Sequence, residues 1–398
     1  MKIGLIREEK FPPDKRVVFS PEQCNYIISN YPEFELVVQS SDQRCFADDE
    51  YIHHGIKIVN DVSDCNILLG IKEVPKSLLI ANKTYFYFSH TIKKQSYNRD
   101  LLRKMIDLNI KMVDYEVLKD YNGKRLLGFG RYAGIVGAYN AFLTYGLKSR
   151  NYQLKPAHKC IDKLEIKKHL SSINFNSERI IVTGSGRVAQ GVLEVMKTAN
   201  ITQVSKEEFI NKKYNSPIFV NLQTMDYNQK IDGTVPSKKE FYANPSLYES
   251  CFMKYAKYAD IFIAGHYYSS GSPFLYTRDN ILSKNFNIKV VADISCDING
   301  PVASTIRSSN IENPIYGYNP ITQTEDDFMK DGVIAVMAVD NLPCELSKDA
   351  SEDFGKQFID KVLSNLSSYR DNKIIKNATI CEGGKLTDNF LYLKDYIN

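Results

Sequence analysis

The stretch Arg179-Ile-Ile-Val-Thr-Gly184-Ser185-Gly186-Arg187-Val188-Ala189-Gln-Gly191-Val-Leu-Glu-Val-Met196 constrains the fold more than any other part of the chain. Its first five residues are β-branched and apolar enough to read as a buried parallel strand. Val188, Val192, Val195 and Met196 recur at i, i+4, i+7 and i+8, one face of a helix. Gly184 and Gly186 lie between, where they permit a tight turn and let backbone N–H groups approach a pyrophosphate at the helix N-terminus. Ala189 fills the third position of G-x-G-x-x-G/A, where a small residue lets helix and strand pack closely. With a strand before it and a helix after it, the turn has the context a dinucleotide site requires. Gly184, Ser185, Gly186, Arg187 and Val188 would then line the cofactor. The alternative is an ordinary strand–turn–helix that holds no ligand.

A chain of 398 residues suggests two or three domains, each able to bury a core. Hydrophobic residues make up 43% and charged residues 25%, a soluble globular profile, and the formal charge of +4 is spread thinly. Basic groupings such as Lys93-Lys94 and Lys167-Lys168-His169 lack interleaved aromatics, so solvated faces are expected rather than nucleic-acid binding. No apolar run of about 18 residues marks a membrane span. The N-terminus meets charge before a signal-peptide core forms and reads as a strand. Eight scattered cysteines with no Cys-x-x-Cys argue against a zinc cluster or a disulfide framework, and imply free thiols in a reducing cytoplasm.

Strands are expected at Ile3–Ile6, Phe34–Val38, Asn66–Ile71, Tyr85–Phe88 and Ile110–Tyr115. Ser20 is a helix cap, with Pro21 at the first helical position and Gln23 closing a capping box. Leu101, Leu102, Met105, Ile106 and Leu108 mark a further helix. Strands separated by helices imply parallel sheets covered on both faces, so the fold class is α/β with two Rossmann-like lobes. The small residues Gly134, Gly137 and Ala138 suit a helix over 130–147 that crosses between lobes and presses closely on another backbone. The second lobe has strands at 179–183, 218–222, 261–264, 289–294 and 333–339; residues 226–258 and 301–332 show no clear pattern. A helix beginning near Asp349 would carry the chain back, giving a substrate lobe of 1–135 plus 349–398 and a dinucleotide lobe of 136–348. A central cleft between such lobes is the expected site for a cofactor and a small substrate.

An NAD site of this kind commonly has an acid about 20 residues after the first glycine, on the ribose hydroxyls. Here that position falls at Gln203, with Ser205 and Lys206 following, so a 2′-phosphate is equally served and NAD and NADP both stay open. Lys72 and His90 each end an apolar run, where burial and neighbours can bring a general acid or base toward neutrality. Taken singly, they are an ordinary surface lysine and a satisfied histidine. Arg16 can hold a carboxylate bidentately or form a surface ion pair. Asp297 orients substrate or nicotinamide, or makes a turn with Asn299 and Gly300. His266 ends another strand and is a weaker candidate.

Together, several segments resemble a known family. Residues 2–20, with Arg7-Glu8-Glu9 and Lys15-Arg16-Val-Val-Phe-Ser-Pro21, are similar to the opening of the alanine dehydrogenase/transhydrogenase superfamily. Phe88-Ser-His90-Thr, Val113-Asp-Tyr-Glu116, Gly128-Phe-Gly-Arg-Tyr-Ala-Gly134, Val291-Ala-Asp-Ile-Ser-Cys-Asp297 and Val339-Asp-Asn341-Leu-Pro343 look like its saccharopine-forming branch. That branch comprises lysine-forming saccharopine dehydrogenase and lysine–2-oxoglutarate reductase, and the resemblance runs from about residue 2 to 368. It leaves no room here for the glutamate-forming half of the bifunctional enzyme. The resemblance implies reversible NAD(P)-dependent interconversion of saccharopine with lysine and 2-oxoglutarate through an imine. It implies Lys72 and His90 as acid/base residues, Arg16 on a substrate carboxylate, and Glu73 and Glu116 as tuning carboxylates. Asp297 would be a cleft aspartate, and Asn341 would approach the nicotinamide. Rival readings are another amino-acid dehydrogenase of the superfamily, such as alanine dehydrogenase, and a non-catalytic dinucleotide-binding regulator. No nucleic-acid or membrane partner and no metal is expected, and the oligomeric state is undetermined.

Overall fold

Short apolar runs and the helices between them assemble two sheets in the computed structural model, which describes residues 1–11 and 13–398. The chain divides into two compact units, Met1–Phe129 with Ser347–Asn398, and Gly130–Leu346. Among the described residues no helix is long and apolar enough to cross a membrane.

The first unit is built on an eight-stranded sheet. From one edge to the other its strands are Lys385–Leu386, Thr379–Glu382, Lys111–Asp114, Thr84–Tyr87, Ile67–Leu69, Lys2–Leu5, Glu35–Gln39 and Lys57–Val59. The last six pair in parallel. Several central strands are buried on both faces, as sandwiching by helices requires: Ile67–Leu69, Thr84–Tyr87 and Lys111–Asp114 have no exposed residue. The Pro21–Asn30 helix starts as the capping box directs, with the Ser20 hydroxyl accepting from the Gln23 N–H and the Gln23 side chain accepting from the Ser20 N–H. The Ser347–Phe358 helix inserts Phe354 and Phe358 into the core with Phe19 and Tyr115.

The second unit holds another eight-stranded sheet. Its order is Thr324–Asp326, Ile315–Asn319, Ile334–Met337, Val290–Asp293, Ile261–Ala264, Arg179–Thr183, Ile218–Leu222 and Thr202–Gln203. The Gly130–Ser149 helix packs on the Arg187–Thr198 helix with almost no space between backbones. A Cβ on Gly134 would lie 1.9 Å from the Val188 carbonyl oxygen, and one on Gly191 would lie 2.0 Å from that of Arg131. The small residues in both helices are therefore spacers, as expected of the 130–147 segment.

Both sheets are parallel through most of their width, as expected, and carry antiparallel strands at one edge. Thr379–Glu382 runs antiparallel to both its neighbours, and Ile315–Asn319 does the same in the second sheet. The reason at the first edge is the connection. Gly383 and Gly384 (φ +62° and +71°) make a two-residue hairpin, which can join only antiparallel strands. The 226–258 segment contributes its own two-stranded ribbon, Asn228–Lys230 against Tyr248–Ser250.

Candidate active site

In the first unit, charged side chains collect where the parallel strands end. Lys72 follows the Ile67–Leu69 strand, and the turn beneath it is fixed by Glu8, whose carboxyl accepts the Ile71 N–H at 2.6 Å and the Lys72 N–H at 2.9 Å. Among the described residues nothing hydrogen-bonds or pairs with the Lys72 ammonium. Burial, reinforced by the nearby Arg16 charge, pushes its pKa down. Burial and the repulsion of Asp14 push Glu8 the other way, up to about 8, against the two N–H donors that favour its ionised form.

His90 follows the Thr84–Tyr87 strand in a left-handed conformation (φ +54°). A non-glycine residue held there costs roughly 1–3 kcal/mol and persists only if its surroundings impose it. They do: the buried Asp114 carboxylate accepts from the Ser89 N–H and hydroxyl, and the Ser89 hydroxyl also bonds that of Thr91 at 2.8 Å. The imidazole Nδ1 lies 3.4 Å from Glu73 Oε2, while Glu73 Oε1 accepts from Lys10 at 2.6 Å. Burial alone would raise the Glu73 pKa, but the His90 and Lys10 contacts outweigh it and hold the carboxyl at about 2. Glu73 therefore stays ionised and links Lys10, His90 and, electrostatically, Lys72.

The other two candidates of this unit are occupied differently from the expectation. Arg16 is not a surface pair but is buried against Asp14. Its Nε and Nη2 grip Asp14 at 2.9 and 2.5 Å, both side chains are buried, and the guanidinium lies 4.1 Å from the Phe129 ring centroid. The Arg16 charge drives the Asp14 pKa far down although burial opposes it. Glu116 does not reach His90; its Oε1 faces Lys93 at 3.7 Å and Arg125 at 4.0 Å.

In the second unit the glycine turn is open where a phosphate needs room. Gly184 (φ +106°) is forced, since a Cβ there would meet the Gly265 carbonyl oxygen at 2.5 Å; beside Gly186 there is nothing within 4 Å, and Ser185 and Gly186 are exposed. Arg187 and Val188 begin the helix. A crowded hinge followed by exposed N–H groups and empty space fits a dinucleotide pyrophosphate.

Gln203 does not fit the place given to it. The strand adjoining Arg179–Thr183 is Ile218–Leu222, and Gln203 lies beyond that on the outer edge, level with Phe219 and hence with Ile180 at the far end of the glycine strand. Asp297 lies in a turn, its carbonyl accepting the Gly300 N–H at 2.9 Å. The buried aspartate of that segment is Asp293, which takes Thr305, Ser295 and Cys296 donors and fixes the loop. Asn341 opens the Leu342–Leu346 turn, its carbonyl accepting the Cys344 N–H. His266, beside the glycine turn, bonds Thr183 through Nδ1 at 2.7 Å, and burial lowers its pKa to about 4.

Residues 4–136 match the family model described as alanine dehydrogenase/PNT, N-terminal domain. Over that stretch the chain is similar to the alanine dehydrogenase/transhydrogenase superfamily. It is 26% identical to the mitochondrial alpha-aminoadipic semialdehyde synthase of Mus musculus, covering 98% of this chain and 47% of that protein. It is 25% identical to the saccharopine dehydrogenase [NAD(+), L-lysine-forming] of Schizosaccharomyces pombe, covering 90% of this chain and 92% of that one. The chain thus spans about half the length of the mouse relative. Among solved structures, an L-alanine dehydrogenase shares the fold with a TM-score of 0.66 at 14% identity, covering both chains fully. Glu8, Lys10 and Asp14 are not legible in the sequence as members of this group: Glu8 lies in the Arg7-Glu8-Glu9 run, and the Asp14-Lys-Arg16 spacing is the local sign of the clamp.

Proposed function

We propose that the chain is a lysine-forming saccharopine dehydrogenase, interconverting saccharopine with L-lysine and 2-oxoglutarate with NAD or NADP as coenzyme. The observation that carries this reading is the Lys72–Glu73–His90 group at the strand ends of the first unit, in a chain that also holds an open glycine turn. The Schizosaccharomyces pombe relative, matched over nearly its full length, supports the choice of substrates. A nicotinamide coenzyme held at the Gly184–Val188 turn would supply the hydride chemistry that relates saccharopine to the imine. Lys72, desolvated and without a hydrogen-bonding partner among the described residues, accepts the proton of the secondary amine. His90, held in place by the Ser89–Asp114 network and facing the ionised Glu73, passes protons to and from the water that hydrolyses the imine.

The test is NAD(P)H oxidation with 2-oxoglutarate. It should require lysine, and ammonia with pyruvate should not substitute; activity with the latter pair would make this an alanine-type dehydrogenase. Lys72→Met should keep nucleotide binding and lower turnover by at least about tenfold, since acid/base groups contribute 10²–10⁴. Unchanged turnover would remove Lys72 from its role.

A further inference from the structure

The order of strands in the second sheet relocates coenzyme recognition. In parallel α/β sheets the ligand lies beyond the carboxyl ends of the strands, and the residue that reads the adenosine ribose leaves the strand beside the glycine strand. Here that neighbour is Ile218–Leu222, not the next strand in sequence. The Gly184 N–H donates to the Leu222 carbonyl at 2.9 Å, so the chain leaving Leu222 starts directly alongside the glycine turn. Its first residues are Gln223-Thr-Met-Asp226, and Asp226 is the acid among them. Its carboxylate folds back over this segment. Oδ2 accepts the Gln223 N–H at 2.8 Å, and Oδ1 accepts the Lys206 ammonium at 2.6 Å.

We propose that Asp226, steadied by Lys206, selects the coenzyme: it accepts the adenosine ribose hydroxyls of NAD(H) and repels the 2′-phosphate of NADP(H). An ionised carboxylate has about four acceptor sites and here spends two, leaving two for a vicinal diol. The same carboxylate opposes a phosphate dianion, and Lys206, the cation that bonds it, already has its charge matched. This assignment rests on the reading of the second unit as a dinucleotide site.

The experiment is equilibrium titration of the full chain with NADH and with NADPH, followed by nucleotide fluorescence. The wild-type protein should bind NADH at least about tenfold more tightly, the scale expected when charge-assisted hydrogen bonds are gained by one ligand and charge repulsion is met by the other. Asp226→Asn, which keeps an acceptor for the Gln223 N–H, should weaken NADH severalfold and tighten NADPH, collapsing the preference. Lys206→Met, which removes the cation from the Asp226 carboxylate, should weaken NADPH more than NADH and so widen the ratio, a pattern that general unfolding cannot produce. A wild-type preference for NADPH, or an unchanged ratio in Asp226→Asn, overturns the assignment while the dinucleotide reading stands. Binding of neither nucleotide overturns both.

Discussion

Gly134→Ala tests the packing that holds the glycine turn in place. The added methyl would sit 1.9 Å from the Val188 carbonyl oxygen and 2.9 Å from Val188 C and Val192 N. All three are backbone atoms, so no rotamer change relieves the clash, and the two helices must separate by roughly 1 Å before contacts reach ordinary van der Waals distance. Two effects oppose each other. Replacing glycine in a helix interior gains about 1 kcal/mol of propensity. Overpacking a tight contact costs about 1–3 kcal/mol, and often more when only backbone can move. Separating the helices also loosens buried Ala189 and Val192, so the cost wins, and a net loss of about 1–2 kcal/mol is expected. For a unit of this size that lowers the thermal midpoint by roughly 2–8 °C. Scanning calorimetry is the suitable assay because two units can unfold in separate transitions. Nucleotide affinity should fall too, since Val188 belongs to the first turn of the helix on which the dinucleotide site is proposed. Gly186→Ala is the matched control. Its methyl meets nothing within 4 Å, so the midpoint should barely move, while a pyrophosphate approaching the backbone would be obstructed. An unchanged or higher midpoint in Gly134→Ala refutes the close backbone approach.

Two further outcomes follow from the first unit. Glu8, raised from 4.5 to about 8, binds more protons folded than unfolded between those values. Its contribution to stability is therefore full below about pH 4.5 and is lost as the pH rises toward 8. Glu8→Gln should flatten that part of the stability–pH curve, measured as urea midpoints across pH 5–8; an unaltered slope removes Glu8 as its source. Asp14→Asn removes the charge that Asp14 sets against the buried Arg16 guanidinium, and breaking such a pair costs about 3–5 kcal/mol. A loss under about 1 kcal/mol in urea unfolding would mean that Arg16 finds another anion or solvent.

The sequence alone determined what is local. The strand–turn–helix at 179–198, the capping box at Ser20 and Gln23, and the spacer glycines of the 130–149 helix are all legible because each depends on residues within a few positions. The tertiary structure decided what depends on strand order and burial. Glu8 reaches Ile71 and Lys72, and Lys10 reaches Glu73, because Lys2–Leu5 pairs in parallel with Ile67–Leu69, a register no periodicity announces. Arg16 carries the same side chain whether exposed or buried; only the packing around Phe129 turns its contact with Asp14 into a closed clamp. Counting along the chain points to Gln203, whereas the sheet sets Ile218–Leu222 beside the glycine strand, so that the chain leaving Leu222 starts alongside the turn. Sequence distance measures position along a strand and its connection, but neighbours in a parallel sheet are chosen by crossovers, and those are settled only when the faces of the sheet are covered.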